Sequence, residues 1–117
     1  MSERPDLRRR LGREGEAAAA EWYLANGYTV VARNWRCQGG ELDIIVCKAR
    51  TYVFCEVKAR SSDLFGAPAE AVTRAKQARI RRLAAQWLAE AAPRSRAVRF
   101  DVASVRNGQV EVIEHAF

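Results

Sequence analysis

The sequence predicts one mixed α/β domain, a central β-sheet flanked by helices, with elements in the order α-β-β-β-α-β-β. Three observations lead to it. An alanine-rich helical stretch stops at Asn26-Gly27; two apolar runs, Leu42–Cys47 and Tyr52–Val57, flank a short polar segment; and a second helical stripe stands between those runs and a closing hairpin. Helices separated by a block of strands, and followed by a strand that can rejoin the sheet, give a mixed α/β layer structure.

Leu11 to Ala25 is alanine-rich with Glu14, Glu16 and Glu21, all strong helix formers, and Asn26-Gly27 supplies the left-handed stop that ends such a helix. Glu16, Ala20 and Tyr23 share one stripe, so Glu16 either leans toward the sheet or, as is commoner for a lone helix glutamate, is simply solvated, while Glu14 and Glu21 face outward. Tyr28 to Trp35 reads as the first strand, and Arg36-Cys37-Gln38-Gly39-Gly40 turns the chain into the next, the glycine pair permitting a tight entry before Glu41. Arg60 to Pro68, with Ser61, Ser62, Asp63 and Gly66, is a loop lying over the end of the hairpin, where loops often gate substrate. The second helix runs from about Glu70 to Ala91, with Ile80, Leu83, Ala84, Trp87, Leu88 and Ala91 at core-facing spacing. One turn back along that stripe is Lys76, which either points toward the charged end of the middle hairpin or snorkels past the core edge. Val98–Val105 and Val110–Ile113 form the last hairpin, turned by Asn107-Gly108.

The middle hairpin carries charge where a half-buried strand should be apolar. With Ala49-Arg50 as a two-residue turn, Lys48 faces Thr51, Cys47 faces Tyr52, Ile45 faces Phe54, Asp43 faces Glu56 and Glu41 faces Lys58. Like charges directly opposed across strands destabilise a sheet unless a cation lies between them. Mg²⁺ fits such a place, because it binds through one or two carboxylates, carbonyl oxygens and substrate phosphates. Asp43 and Glu56 would supply the carboxylates, and Lys58, on the same face, an ammonium that orients water or steadies negative charge. The competing reading is a solvated face on which Glu41 and Asp43 make weak ion pairs with Lys58. Against it, Ile45, Cys47, Tyr52 and Phe54 continue the same face as apolar residues.

At 117 residues the chain has room for one core. We expect a basic, flexible arm over residues 1–10 and a single folded domain over 11–117. No apolar run reaches membrane-spanning length and no apolar signal core follows the first charges, so a cytoplasmic protein without membrane contact is expected. Three cysteines without zinc-like spacing argue against a disulfide framework, and Cys47 and Cys55 fall on opposite faces of the hairpin. The single histidine, His115, reads as a tail residue. The net charge of +6 is uneven: Arg4, Arg8, Arg9, Arg10 and Arg13 crowd the start, and Arg74, Lys76, Arg79, Arg81 and Arg82 form a second run. A polyanion partner is implied, although a solvated helix face with a basic arm has the same composition.

The chain resembles the restriction-endonuclease-like, or PD-(D/E)xK, superfamily. More narrowly, it is similar to the YraN family of bacterial proteins, predicted endonucleases distantly related to archaeal Holliday junction resolvases. Gly12-Arg13-Glu14-Gly15-Glu16, Asn34-Trp35-Arg36, Gly40-Glu41-Leu42-Asp43-Ile44-Ile45, Phe54-Cys55-Glu56-Val57-Lys58-Ala59-Arg60, Phe65-Gly66 and Arg99-Phe100-Asp101-Val102 carry the likeness. It implies that Asp43 and Glu56 are metal carboxylates, that the carbonyl of Val57 is a further ligand, that Lys58 positions the attacking water, and that Glu16 reaches the metal directly or through water. Leu42 stands where the superfamily's name has proline, which is not a ligand. Glu41 and Lys76 are candidates for supporting or substrate contacts, and Arg36, Arg60, Arg74, Arg81 and Arg82 for nucleic-acid contacts.

The expectation is a Mg²⁺- or Mn²⁺-dependent endonuclease acting on DNA, more than on RNA, including branched or processed structures. A non-catalytic nucleic-acid-binding module that keeps the fold is the alternative, and a protein-interaction domain ranks below both. A homodimer through an exposed strand edge is also open.

Overall fold

A computed structural model describes residues 5–60, 72–95 and 97–117, with side chains from residue 9 onward. Two helices and five strands follow the expected order: α1 (Pro5–Ala25), β1 (Thr29–Cys37), β2 (Gly40–Lys48), β3 (Thr51–Arg60), α2 (Arg74–Ala91), β4 (Ala97–Arg106) and β5 (Gln109–Ile113). The strands form a single sheet in sequence order, antiparallel except where β3 and β4 run parallel on either side of α2 in the chain.

Helix α1 begins at Pro5, upstream of the expected Leu11, so residues 5–10 are helical. Proline suits a first helical position because its missing N–H has no intrahelical partner there. At the other end Gly27 takes φ 87° and the Asn26 N–H donates to the Trp22 carbonyl. Strand β1 runs on through Arg36 and Cys37, which had been expected in the turn, and Arg60 is the last residue of β3 rather than part of the following loop. The rest of that loop lies outside the described residues, as does any gating by it; α2 starts at Arg74 rather than near Glu70, with Val72 and Thr73 ahead of it not helical. Thr73 caps α2, its hydroxyl accepting from the Lys76 N–H at 3.2 Å.

The sheet is apolar on both faces. Ala19, Ala20 and Tyr23 of α1 cover Ile44, Val46, Val53, Cys55, Ala103 and Val105 on one side. Ile80, Leu83, Ala84 and Trp87 of α2 cover Leu42, Ile45, Phe54 and Val102 on the other. Ala91, the last residue expected on the α2 stripe, is exposed. Burying such side chains on two faces supplies most of the folding free energy, each contributing roughly 1.5–3 kcal/mol. Cys55 lies in the α1-side cluster while Cys47 pairs with Tyr52, which packs on the α2 side; both are free thiols, as is Cys37. Among the described residues no helix is long and apolar enough to cross a membrane.

One charge is fully enclosed. Asp101 on β4 has no exposed surface and accepts from Tyr23 Oη at 2.7 Å, from Arg99 Nε and Nη2 at 2.9 Å each, and from the His115 N–H at 3.3 Å. Arg99 also donates to Tyr28 Oη at 2.9 Å. The network ties α1, β4 and the chain after β5 together. His115, expected as a tail residue, is thereby anchored. Removing one partner of a buried charge pair strands the other, at a cost of about 3–5 kcal/mol. Arg99→Ala is therefore expected to lower stability by that amount in denaturant melts, and Tyr23→Phe by about 1–3 kcal/mol; wild-type midpoints in both variants would contradict this account of the network.

Candidate metal centre

The site begins where two strands turn over. Period-two alternation should place Leu42 and Ile44 on the same face, yet Ile44 packs beneath α1 and Leu42 beneath α2. The register Arg33↔Ile44 and Trp35↔Leu42 leaves Asn34 across from Asp43 at the crossover, and Asn34 has φ 54°. Asparagine tolerates that left-handed conformation better than most residues.

The β2–β3 ladder follows the expected register from Lys48↔Thr51, through Cys47↔Tyr52 and Ile45↔Phe54, to Ile44↔Cys55, and ends there. The turn at Ala49 and Arg50 has φ 50° and 63°, as a two-residue hairpin loop requires. Beyond the last pair, the Val57 N–H donates to Asp43 Oδ2 at 2.9 Å. Asp43 thus occupies the wedge where the strands part. That bond engages the Val57 amide and leaves its carbonyl, implied by the resemblance as a metal ligand, uninvolved in the contact with Asp43.

The expected opposition of Glu41 and Lys58 does not form. Because β1 extends past Trp35, Glu41 pairs in register with Arg36, and Arg36 Nε donates to Glu41 Oε2 at 2.6 Å. Glu41 is drawn away from β3 toward α1. One carboxylate oxygen each of Glu16, Glu41 and Asp43 lies within 4.8 Å of the others. Glu16 arrives there because Gly15 lets α1 touch β3: a Cβ at position 15 would sit 2.9 Å from that of Ala59.

Burial, and then the charges of Glu41 and Glu56, raise the Glu16 pKa despite a hydrogen bond from Asn34 and the charge of Arg33. Asp43 is pushed up to about 7, by burial first and then by the Glu56 charge, with the Val57 N–H opposing and Glu16 adding to the rise.

Glu56, 8% exposed, adjoins Asp43 and is held by two ammoniums. Lys76 of α2 makes an ion pair with Glu56 Oε2, and Lys58 Nζ lies 3.5 Å from the same oxygen. Burial and the neighbouring Lys76 lower the Lys58 pKa against the pull of Glu56. Burial would lower Lys76 too, but its bonds to Glu56 and Lys58 and the charges of Glu56 and Asp43 outweigh that and raise it.

Arg36 borders a cleft of about 510 Å³ that also takes in Glu16 and Glu41. The other basic candidates lie elsewhere. Arg60 lines a separate cavity of about 280 Å³ with Glu14 and Asn107, Arg74 and Arg82 are exposed on α2, and Arg81 stacks over Phe100 and Phe117, 4.9 and 5.5 Å from the ring centres. Asn34, Arg9 and Arg13 also line the acidic cleft; the sequence puts the two arginines in a basic run and Asn34 in a stretch of the likeness without singling out any of them as a site residue. Their signal was present: Arg9, Arg13 and Glu16 fall on one face once the helix is started at Pro5.

The carboxylate set fits a hard divalent cation. Oxygens around one Mg²⁺ are at most about 4.2 Å apart, so side-chain shifts of under about 1 Å would close Glu16, Glu41 and Asp43 on it.

Two outcomes follow from the geometry. The folded-state pKa of Asp43 lies above its unfolded value of about 4, so ionising it opposes folding; that cost is absent below about pH 4 and grows as pH rises through about 7. In metal-free thermal melts, Asp43→Asn should therefore gain on the wild type as pH rises from 4.5 to 8, and a pH-independent difference would contradict the shift. Gly15→Ala should lower stability by about 1–3 kcal/mol through overpacking against Ala59; an unchanged melt would show that α1 does not touch β3 there.

A family model described as "Uncharacterised protein family UPF0102" matches residues 15–105. A UPF0102 protein of Beutenbergia cavernae is 56% identical over 95 residues, covering 81% of this chain and 80% of the relative. One from Parafrankia sp. (strain EAN1pec) is 51% identical over 109 residues, 91% of this chain and 92% of the relative. One from Mycobacterium tuberculosis (strain ATCC 25177 / H37Ra) is 51% identical over 100 residues, 84% and 78% of the two chains. With a family match that takes in β1 to β3, nearly all of β4, both lysines and the carboxylates Glu16, Glu41, Asp43 and Glu56, this chain belongs to the uncharacterised protein family UPF0102.

Proposed function

We propose that the protein is a metal-dependent endonuclease that hydrolyses phosphodiester bonds of DNA, including branched or processed structures. The observation that carries the reading is the convergence of Glu16, Glu41 and Asp43, beside a lysine-held Glu56, in a chain with an excess of positive charge. Acidic groups crowded inside a basic protein suit a substrate that is itself an anion needing a cation at the reacting phosphate. The resemblance to the PD-(D/E)xK superfamily points the same way.

In this reading Glu16, Glu41 and Asp43 hold Mg²⁺ or Mn²⁺, and Glu56, adjoining Asp43, extends the acidic surface. The bound metal would polarise the scissile phosphate and lower the pKa of a water. Lys58, its pKa lowered by burial, orients the attacking water and shares its proton, while Glu56 keeps the amine in place. Lys76 holds Glu56 from the α2 side and adds positive charge next to the developing phosphorane. Arg36 fixes Glu41 and lies where a flanking phosphate would pass.

A non-catalytic nucleic-acid-binding module is the second reading, and one observation favours it: Glu56 is already neutralised by the protein's own lysines. Incubating the protein with duplex, single-stranded and four-way-junction DNA under Mg²⁺ or Mn²⁺ separates the two. Metal-dependent cleavage that is lost in Asp43→Ala and reduced roughly 10²–10⁴-fold in Lys58→Ala is expected. Salt-sensitive binding without turnover under either metal would overturn the nuclease and establish the binding module.

A further inference from the structure

Two glycines stand three residues apart in α1 and meet opposite surroundings. Gly15 is buried against Ala59, which explains it. Gly12 has no such explanation: among the described residues, and apart from its chain neighbours and the backbone of its own helix, no atom lies within 4 Å of where its Cβ would be. Glycine inside a helix is less stable than alanine, because it surrenders more backbone freedom on folding. Position 12 therefore carries a cost that no packing among the described residues offsets.

The bare backbone at Gly12 opens into the same cleft as Glu16 and Glu41, and Arg9 and Arg13 flank it on the same helix face. Both arginines are exposed. They are one turn apart, about 6 Å along the axis. A side-chain-free strip of helix, bracketed by two guanidiniums and leading to a carboxylate cluster, is open to close approach by a chain of phosphates.

We propose that Gly12, Arg9 and Arg13 form a track for the sugar-phosphate backbone of a nucleic acid. The strand passes against the helix at Gly12, its phosphates take the two arginines, and it is led toward Glu16 and Glu41. The proposal rests on the nucleic-acid reading, whether or not the site cuts. It gives the glycine a reason that lies in the ligand, and it moves the principal phosphate contacts from the outer face of α2 to the first turns of α1.

The test pairs thermal melts with binding of labelled duplex and junction DNA by the full chain, without divalent metal so that no cleavage intervenes. Gly12→Ala should melt roughly 2–5 °C higher, from helix propensity, yet bind about fivefold or more weakly, with the salt dependence unchanged because no charge is lost. Arg9→Ala and Arg13→Ala should each reduce the slope of log affinity against log salt by about one. A Gly12→Ala variant that melts higher and binds like the wild type would overturn the track while leaving nucleic-acid binding intact. One that melts lower would also overturn it, since the chain itself would then pack on position 12. Wild-type protein with no salt-dependent affinity for any DNA would remove the nucleic-acid reading and the track together.

Discussion

The hydrogen bond from the Val57 N–H to Asp43 Oδ2 stands where β2 and β3 cease to pair, and the rest of the site depends on it. A strand end normally offers its amides to water or to the next ladder carbonyl. Here a side-chain carboxylate takes that place, so the strands can part without leaving the Val57 donor unpaired. The gap admits acidic groups from three directions: Asp43 from β2, Glu56 from β3 and Glu16 from α1. For Asp43, burial and the neighbouring carboxylates work against ionisation, and the Val57 amide opposes them.

Each helix serves the site through the face of the sheet it covers. The α1-side cluster seats the helix closely enough for Gly15 to meet Ala59, which brings Glu16 alongside Asp43. The α2-side cluster seats Ile80 and Leu83, and one turn before Ile80 Lys76 reaches Glu56. Positive charge thus reaches Glu56 from α2 and from Lys58 on its own strand, while Glu41 is fixed by Arg36 from β1. The carboxylates divide into a lysine-bound member and three that face one another. A divalent cation acting on the second set would relieve the repulsion that raises Asp43, so the chemistry of the donors and the electrostatics of the fold favour the same occupant.

Much of this framework was legible in the residues. Two apolar runs around Lys48-Ala49-Arg50-Thr51 fixed the β2–β3 register as far as Ile44↔Cys55, Asn107-Gly108 marked the last hairpin, and the three-four spacing from Ile80 to Trp87 marked the buried face of α2. The reading failed where strands leave their regular period. Alternation assumes a strand that does not turn over, and nothing but the tolerance of asparagine for positive φ hinted that Asn34 and Asp43 lie at a crossover. Carrying the β2–β3 register past Ile44↔Cys55 sets Glu41 against Lys58, and ending β1 at Trp35 hides its pairing with Arg36. Starting α1 at Leu11 treated Arg9 as part of a loose arm, although Pro5 and Asp6 are a helix start that places Arg9 on the face of Glu16.

The central claim is that Glu16, Glu41 and Asp43 share one divalent cation. Anomalous diffraction from crystals grown with Mn²⁺ tests it most directly. The expected result is a single peak within about 2.3 Å of oxygens from all three carboxylates. A peak that bridges Asp43 and Glu56 with Glu16 and Glu41 unbound, or no peak on these residues at millimolar Mn²⁺, would contradict it.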